Sequence, residues 1–354
     1  MPSRATATGT PQSRAASTAR VVDFHNHMVT EAVVAFLVAE GDHLATRVVE
    51  GPGGRTAHIG DTGGTRLLGP RMCDPAARLA DMDRLGITTQ AVSATPFLLY
   101  PDAPPEVALA VARVNNDSLA EIARRHPGRF VPLASVPLQD PQRAAAELER
   151  AVGIGLRGVE IPPATPELAL DDRRLEPFWS AAEARRVPIC IHPFEASPQG
   201  PFARYLLSPL VGNLHATGIA AALLVMGGVL ERHPALRIVL YHAGGTFPAL
   251  LARLDKGHEL FDACRERAPK RPSAYSAQLW FDTVAFDPRW LLHLVQRFGA
   301  DHLVLGSDYP LPLGPSDPVG DVRALALGPA DEQRILGGNA CRLLDIDGAR
   351  EVLP

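Results

Sequence analysis

The chain has 354 residues, 46% of them hydrophobic, and a formal net charge of −4. That length supports one large α/β core, and the absence of a basic stripe or an acidic block argues against a nucleic-acid partner and an acidic disordered tail. Cys73, Cys190, Cys264 and Cys341 stand far apart and form no CxxC, which fits free thiols in a reducing cytoplasm better than a disulfide framework.

Residues 1–19, rich in Ala, Ser, Thr and Arg without an apolar run, read as a disordered tail rather than a secretory signal. No run of 18 apolar residues predicts a membrane span. From residue 20 to 354 a single domain is expected. Its first strand covers 20–24, and a long insertion over 28–73 follows, with a short helical piece and a Gly-rich middle at 51–64. A helix at 74–85 leads to a strand at 89–95. Helix 106–126, strand 130–136, helix 141–152, strand 157–161, helix 175–186 and strand 188–192 come next. A second insertion, 193–236, begins Pro-rich and becomes helical. Strand 237–242, helix 247–264, strand 279–284, helix 288–298, strand 303–308 and helix 329–336 complete the series.

The strands are short and apolar, as strands covered on both faces must be. Eight of them alternating with helices predict a parallel (β/α)8 barrel more readily than two doubly wound domains. Insertions after the first and fifth strands then lie over the C-terminal mouth, where barrels do their chemistry.

Ionisable residues collect at those strand ends. The first strand runs into Asp23-Phe24-His25-Asn26-His27, and alternation sends both histidines to one side. Two neutral imidazoles on one face suit Zn²⁺ or a similar borderline ion. The fifth, sixth and eighth strands run into His192, His242 and Asp308. One such residue could be a core histidine or a helix cap; four strands doing so at one end of a barrel point to a site. The remaining histidines read as surface or packing residues, with His215 left open because it falls in the second insertion.

The combination resembles the amidohydrolase superfamily. Longer segments resemble its decarboxylases of the 2-amino-3-carboxymuconate-6-semialdehyde type: Tyr241-His242-Ala243-Gly244-Gly245-Thr246-Phe247-Pro248, Leu305-Gly306-Ser307-Asp308-Tyr309-Pro310 through Gly314, Cys73-Asp74-Pro75 with Met82-Asp83 and Gly86, and Ser135 through Asp140. The resemblance implies one divalent metal ion, usually Zn²⁺, held by His25, His27, His192 and Asp308. It implies His242 as an acid/base that does not bind the metal. It also implies Arg66 and Arg253 as carboxylate-binding residues, Arg253 acting in the neighbouring subunit of a homodimer. The expected activity is non-oxidative decarboxylation of a small unsaturated or aromatic carboxylic acid.

The sequence departs from that pattern near the substrate. His192-Pro193-Phe194 replaces an HPW, Tyr205 stands where a tryptophan is expected, and Cys73 replaces the tryptophan of WDP. A branch acting on aromatic acids carries HxGE after the sixth strand, where this chain has no Glu. The fourth strand has Glu160 but no lysine to bridge two metals, so one metal is favoured. A mononuclear hydrolase of a lactone or amide is the competing reading, and two carboxylate-binding arginines weigh against it.

Overall fold

The computed structural model describes residues 20–346 apart from 41–43, 45, 60–64 and 195–199. The expected tail at 1–19 lies outside the described residues. Eleven strands form two sheets among them: β1 Val22–Met28, β2 Thr46–Gly51, β3 Gly54–Ile59, β4 Thr65–Leu67, β5 Thr89–Ala94, β6 Phe130–Ser135, β7 Gly158–Ile161, β8 Pro188–Ile191, β9 Arg237–Leu240, β10 Leu279–Asp282 and β11 Leu303–Val304. Eight are parallel in the order β1-β5-β6-β7-β8-β9-β10-β11. The ring closes where the backbone after β11 bonds to β1, through Phe24 N–H to the Leu305 carbonyl (2.7 Å) and His27 N–H to the Tyr309 carbonyl (2.8 Å). This is the expected (β/α)8 barrel.

Alternation along the strands builds two cores. Ile189, Ile191, Ile238 and Leu240 pack outward against the helices, while Cys190, Val239 and Tyr241 join Val22, Phe24, Ala91 and Leu133 in a second cluster. The β1–β5 register shifts between Asp23 and Asn26. A bulge of this kind re-aims side chains, and here it lets Phe24 pack in that cluster while His25 and His27 above it still share one side.

Four helices begin Asp-Pro: Pro75–Leu85, Pro141–Gly153, Pro288–Phe298 and Pro318–Arg323, each capped by the preceding aspartate. The carboxylate takes an otherwise orphaned N–H, and the proline has none to lose. These caps fix where each helix leaves the barrel.

Two expectations need correction. The insertion after β1 is more than a helical piece and a loop: helix Glu31–Glu40 is followed by the antiparallel meander β2-β3-β4. Its apolar side, Ala57, Ile59 and Leu68, packs on Val29, Val33 and Leu37. The signal was the Gly51-Pro52-Gly53-Gly54 turn between two alternating runs, a hairpin pattern. The last strand stops at Val304, so Asp308 is not a strand residue. Ser307 and Asp308 instead donate their N–H groups to the His25 carbonyl, at 3.1 and 2.8 Å.

One helical stretch, Ser208–Met226 between β8 and β9, is apolar and long enough to cross a membrane by length and composition, yet only 33% of its most apolar window is buried. It packs against helix Phe247–Leu260 on the barrel's outer layer.

Candidate metal centre

β1 carries His25 and His27 two residues apart, both fully buried, with Nε2 atoms 3.1 Å from each other. His25 Nδ1 lies 2.5 Å from Asp282 Oδ2, and its ring stacks on Tyr241 at 3.7 Å. His27 Nδ1 faces the Ala94 carbonyl at 3.1 Å. His192, just past β8, directs Nδ1 to the Pro193 carbonyl at 2.9 Å. In each histidine a hydrogen bond to Nδ1 leaves Nε2 with its lone pair free to bind.

Those three Nε2 atoms approach one oxygen. Asp308 Oδ1 lies 3.2 Å from His25, 3.3 Å from His27 and 3.9 Å from His192. His242 Nε2 approaches the other oxygen, Oδ2, at 4.0 Å. His25, His192, His242 and Asp308 offer ligand atoms all within 4.8 Å of one another. His192 Nε2, His242 Nδ1 and Asp308 Oδ1 are buried without a hydrogen-bond partner. Buried polar atoms are seldom left so. A donor set of imidazole nitrogens and one carboxylate oxygen, converging with several of its buried atoms unpartnered, fits a single divalent first-row cation.

The electrostatics suit that reading. Burial lowers His27 to about 4, His192 to about 3 and His242 to about 4, so all three are neutral. His25 is also pressed down by burial, but Asp308 and Asp282 outweigh it and raise it to about 10, so without a cation beside it His25 holds a second proton, on Nε2, that a bound ion would displace. For Asp308, burial works against the charge; His25 and its neighbours prevail and hold the carboxyl well below its usual range.

Comparison with known proteins now bears on this centre. Residues 22–346 match the amidohydrolase family. The chain belongs to that family. It is 31% identical over 277 residues to the 2-amino-3-carboxymuconate-6-semialdehyde decarboxylase of Dictyostelium discoideum, covering 77% of each chain. It superposes on 5-carboxyvanillate decarboxylase from Sphingomonas paucimobilis with a TM-score of 0.77 and 26% identity, over 93% of this chain and 100% of that one. It also shares the fold of a dihydroxybenzoic acid decarboxylase from Polaromonas sp. JS666, solved with manganese and the inhibitor 2-nitroresorcinol (TM-score 0.74, 24% identity, 92% and 97% coverage). Within the amidohydrolases, the chain stands among decarboxylases.

The residues expected to meet substrate lie on the two insertions and on a helix of the outer layer. Arg66 lies on β4, half-buried, with one side-chain hydrogen bond among the described residues, to the Thr65 carbonyl. Phe194 follows His192 and packs on the insertion's core. Tyr205 is 83% exposed in the second insertion, with φ 53°. Arg253 is exposed on helix Phe247–Leu260, and His215 is exposed on helix Asn213–Met226.

Sequence reading missed the residues beneath the centre. Asp282, fully buried at the end of β10, contacts His25 and the His242 backbone. Arg78, also fully buried, donates to the His27 carbonyl (2.6 Å) and Asn26 Oδ1 (2.8 Å) and lies over the Tyr309 ring. Asp23 accepts from the Ser307 hydroxyl (2.6 Å) and from Gln90 (2.9 Å), binding β1 to the segment that carries Asp308. An arginine on an amphipathic helix gives no sign of burial. Asp282 was detectable as one more acid closing an apolar strand. Glu160 is buried in the barrel, 3.9 Å from His27 Nδ1, and burial raises it to about 8.

Proposed function

We propose that this amidohydrolase is a metal-dependent, non-oxidative decarboxylase of an unsaturated or aromatic carboxylic acid. Its metal ligands are His25, His27, His192 and Asp308, and its acid/base is His242. The observation that carries the assignment is the split at Asp308: His25, His27 and His192 come nearest its Oδ1, whereas His242 comes nearest Oδ2, at 4.0 Å. In this reading His242 stands beside the ion; the set of His25, His192, His242 and Asp308, whose ligand atoms lie within 4.8 Å of one another, is the competing one. A single Zn²⁺ is the proposed ion, since β7 bears no lysine to bridge a second.

Breaking a carbon–carboxylate bond leaves an electron pair on carbon. When bound, the ion polarises a substrate oxygen as a Lewis acid. His242, neutral in its buried setting, takes a proton from a substrate hydroxyl or from water and, as the imidazolium, gives it to substrate carbon. Protonation of the carbon that bears the carboxylate lets the bond's electron pair restore conjugation as CO₂ departs. Arg66 and Arg253 bind carboxylate oxygens by paired, charge-assisted hydrogen bonds. Phe194 and Tyr205 line the substrate's apolar side. No glutamate fits at 245 with this backbone: a Cβ there would meet the Leu214 carbonyl oxygen at 2.2 Å.

Arg253 serves the partner of a homodimer in this reading. Exposed apolar side chains stand on its own helix and next to it in the chain, Leu250 and Phe261, and on the stretch packed against that helix, Leu210, Val211 and Ile219. A second copy that covered these side chains would bring its own Arg253 with it. The free thiols of all four cysteines fit a cytoplasmic enzyme.

The test is to load metal-free protein with Zn²⁺ and with Mn²⁺, then assay CO₂ release from unsaturated and hydroxybenzoic acids. About one ion per chain and metal-dependent CO₂ release are expected. Two ions per active chain would overturn the mononuclear assignment. Hydrolysis of lactones or amides without CO₂ release would overturn the decarboxylase reading; the decarboxylase relatives weigh against that alternative.

A further inference from the structure

Asp282 is where the two halves of the centre meet. Its Oδ2 accepts from His25 Nδ1 at 2.5 Å and from the His242 backbone N–H at 2.9 Å. Its Oδ1 accepts from the Ala243 N–H at 2.7 Å and the Val284 N–H at 3.1 Å. All four partners are donors, and the carboxylate is fully buried. An amide in its place would turn an NH₂ group toward donors, so the site demands a charged acceptor.

Each half needs what Asp282 supplies. The His25 ring is already held in plane by Tyr241, stacked within 7° of parallel. What remains free is its tautomer, and a proton on Nδ1 leaves the Nε2 lone pair directed at the cluster. On the other side, His242 and Ala243 have φ of 56° and 54°. Residues other than glycine seldom adopt that backbone, so the turn presenting the His242 ring needs an outside anchor. The two N–H bonds to Asp282 are that anchor. A Cβ on Gly306 would lie 3.0 Å from both the Asp282 and the His25 Cβ, so the backbone after β11 passes close to both side chains and only glycine fits between them.

We propose that Asp282 is a positioning residue that couples the metal ligand His25 to the acid/base His242, through one carboxylate bonded to the imidazole of the first and the backbone of the second. This rests on the ligand and acid/base roles proposed above.

The test uses Asp282→Asn in the full chain. Zn²⁺ affinity is measured by competition with a chromogenic chelator, and kcat and KM at saturating Zn²⁺. Affinity is expected to weaken by about 10- to 100-fold, as for other carboxylates behind metal-bound histidines. With the ion restored, kcat should still fall, by about 10²-fold from the misplaced His242 ring, while KM changes little. A folded Asp282→Asn protein with unchanged Zn²⁺ affinity and kcat overturns the proposal, since a merely structural aspartate would lower only the melting temperature.

If the variant does not fold, the unaltered protein decides. In Zn²⁺-loaded, ¹⁵N-histidine-labelled protein, with His25 assigned using His25→Gln, NMR should find the His25 proton on Nδ1 in a strong hydrogen bond. A proton on Nε2 overturns the proposal. Affinity and tautomer need no substrate, so they stand apart from any failure to release CO₂.

Discussion

His25 and Arg253 are both assigned to one reaction, yet their surroundings are opposites. His25 is fully buried, stacked on Tyr241 and bonded to Asp282, and its carbonyl accepts two backbone N–H groups from Ser307 and Asp308. Arg253 is exposed and, among the described residues, has neither hydrogen bond nor ion pair. The floor of the mouth is over-determined by barrel strands; the rim consists of residues held by little in one chain. Bond-breaking groups need fixed geometry, because small displacements cost large factors in rate. Groups that select and admit substrate can be carried on insertions and on a second subunit.

Substitutions at the floor should therefore have the largest effects. Asp308→Ala removes the carboxylate on which three imidazoles converge. The protein should lose both bound metal and activity, as metal analysis alongside CO₂ assay would reveal. Retained metal would mean that the floor is less constrained than its contacts indicate. His242→Ala should keep its metal yet lose activity by roughly 10² to 10⁴, the usual cost of a missing general acid–base. Parallel loss of metal would instead make His242 a ligand.

At the rim, Arg253→Ala removes a charge-assisted bond, a loss of about 1.5–3 kcal/mol, or roughly ten- to a hundredfold in kcat/KM. Mixing it with His242→Ala sharpens the contrast. If Arg253 acts across a twofold interface, a mixed dimer has one intact site, and activity should rise toward about a quarter of the native level. No rise in a mixture shown to exchange subunits would place Arg253 in its own site or outside any. Tyr205→Ala should be mildest, changing kcat/KM several-fold and altering preference among acids more than rate; a loss as large as that of His242→Ala would erase the distinction between floor and rim.

The barrel was legible because its strands are short apolar runs and its helices amphipathic, patterns that depend only on local period. His25, His27, His192, His242 and Asp308 were legible for a related reason: each is the ionisable residue that ends or follows such a run. The β2–β4 meander was misread because its turn glycines look like loop, and only packing of Ala57 and Ile59 on helix Glu31–Glu40 makes a sheet of it.

By itself, then, the sequence determined the barrel, its two insertions and the residues facing the mouth, since strand period and chain order set which side chains share an end. Tertiary structure alone decided which Asp308 oxygen each histidine approaches, that Asp282 joins His25 to the His242 turn, and that Arg78 lies beneath β1. Those contacts cross gaps of 40 to 283 residues. They arise where β1, β10 and the segment after β11 are drawn together by closure of the barrel, and no local pattern records which strands will become neighbours there.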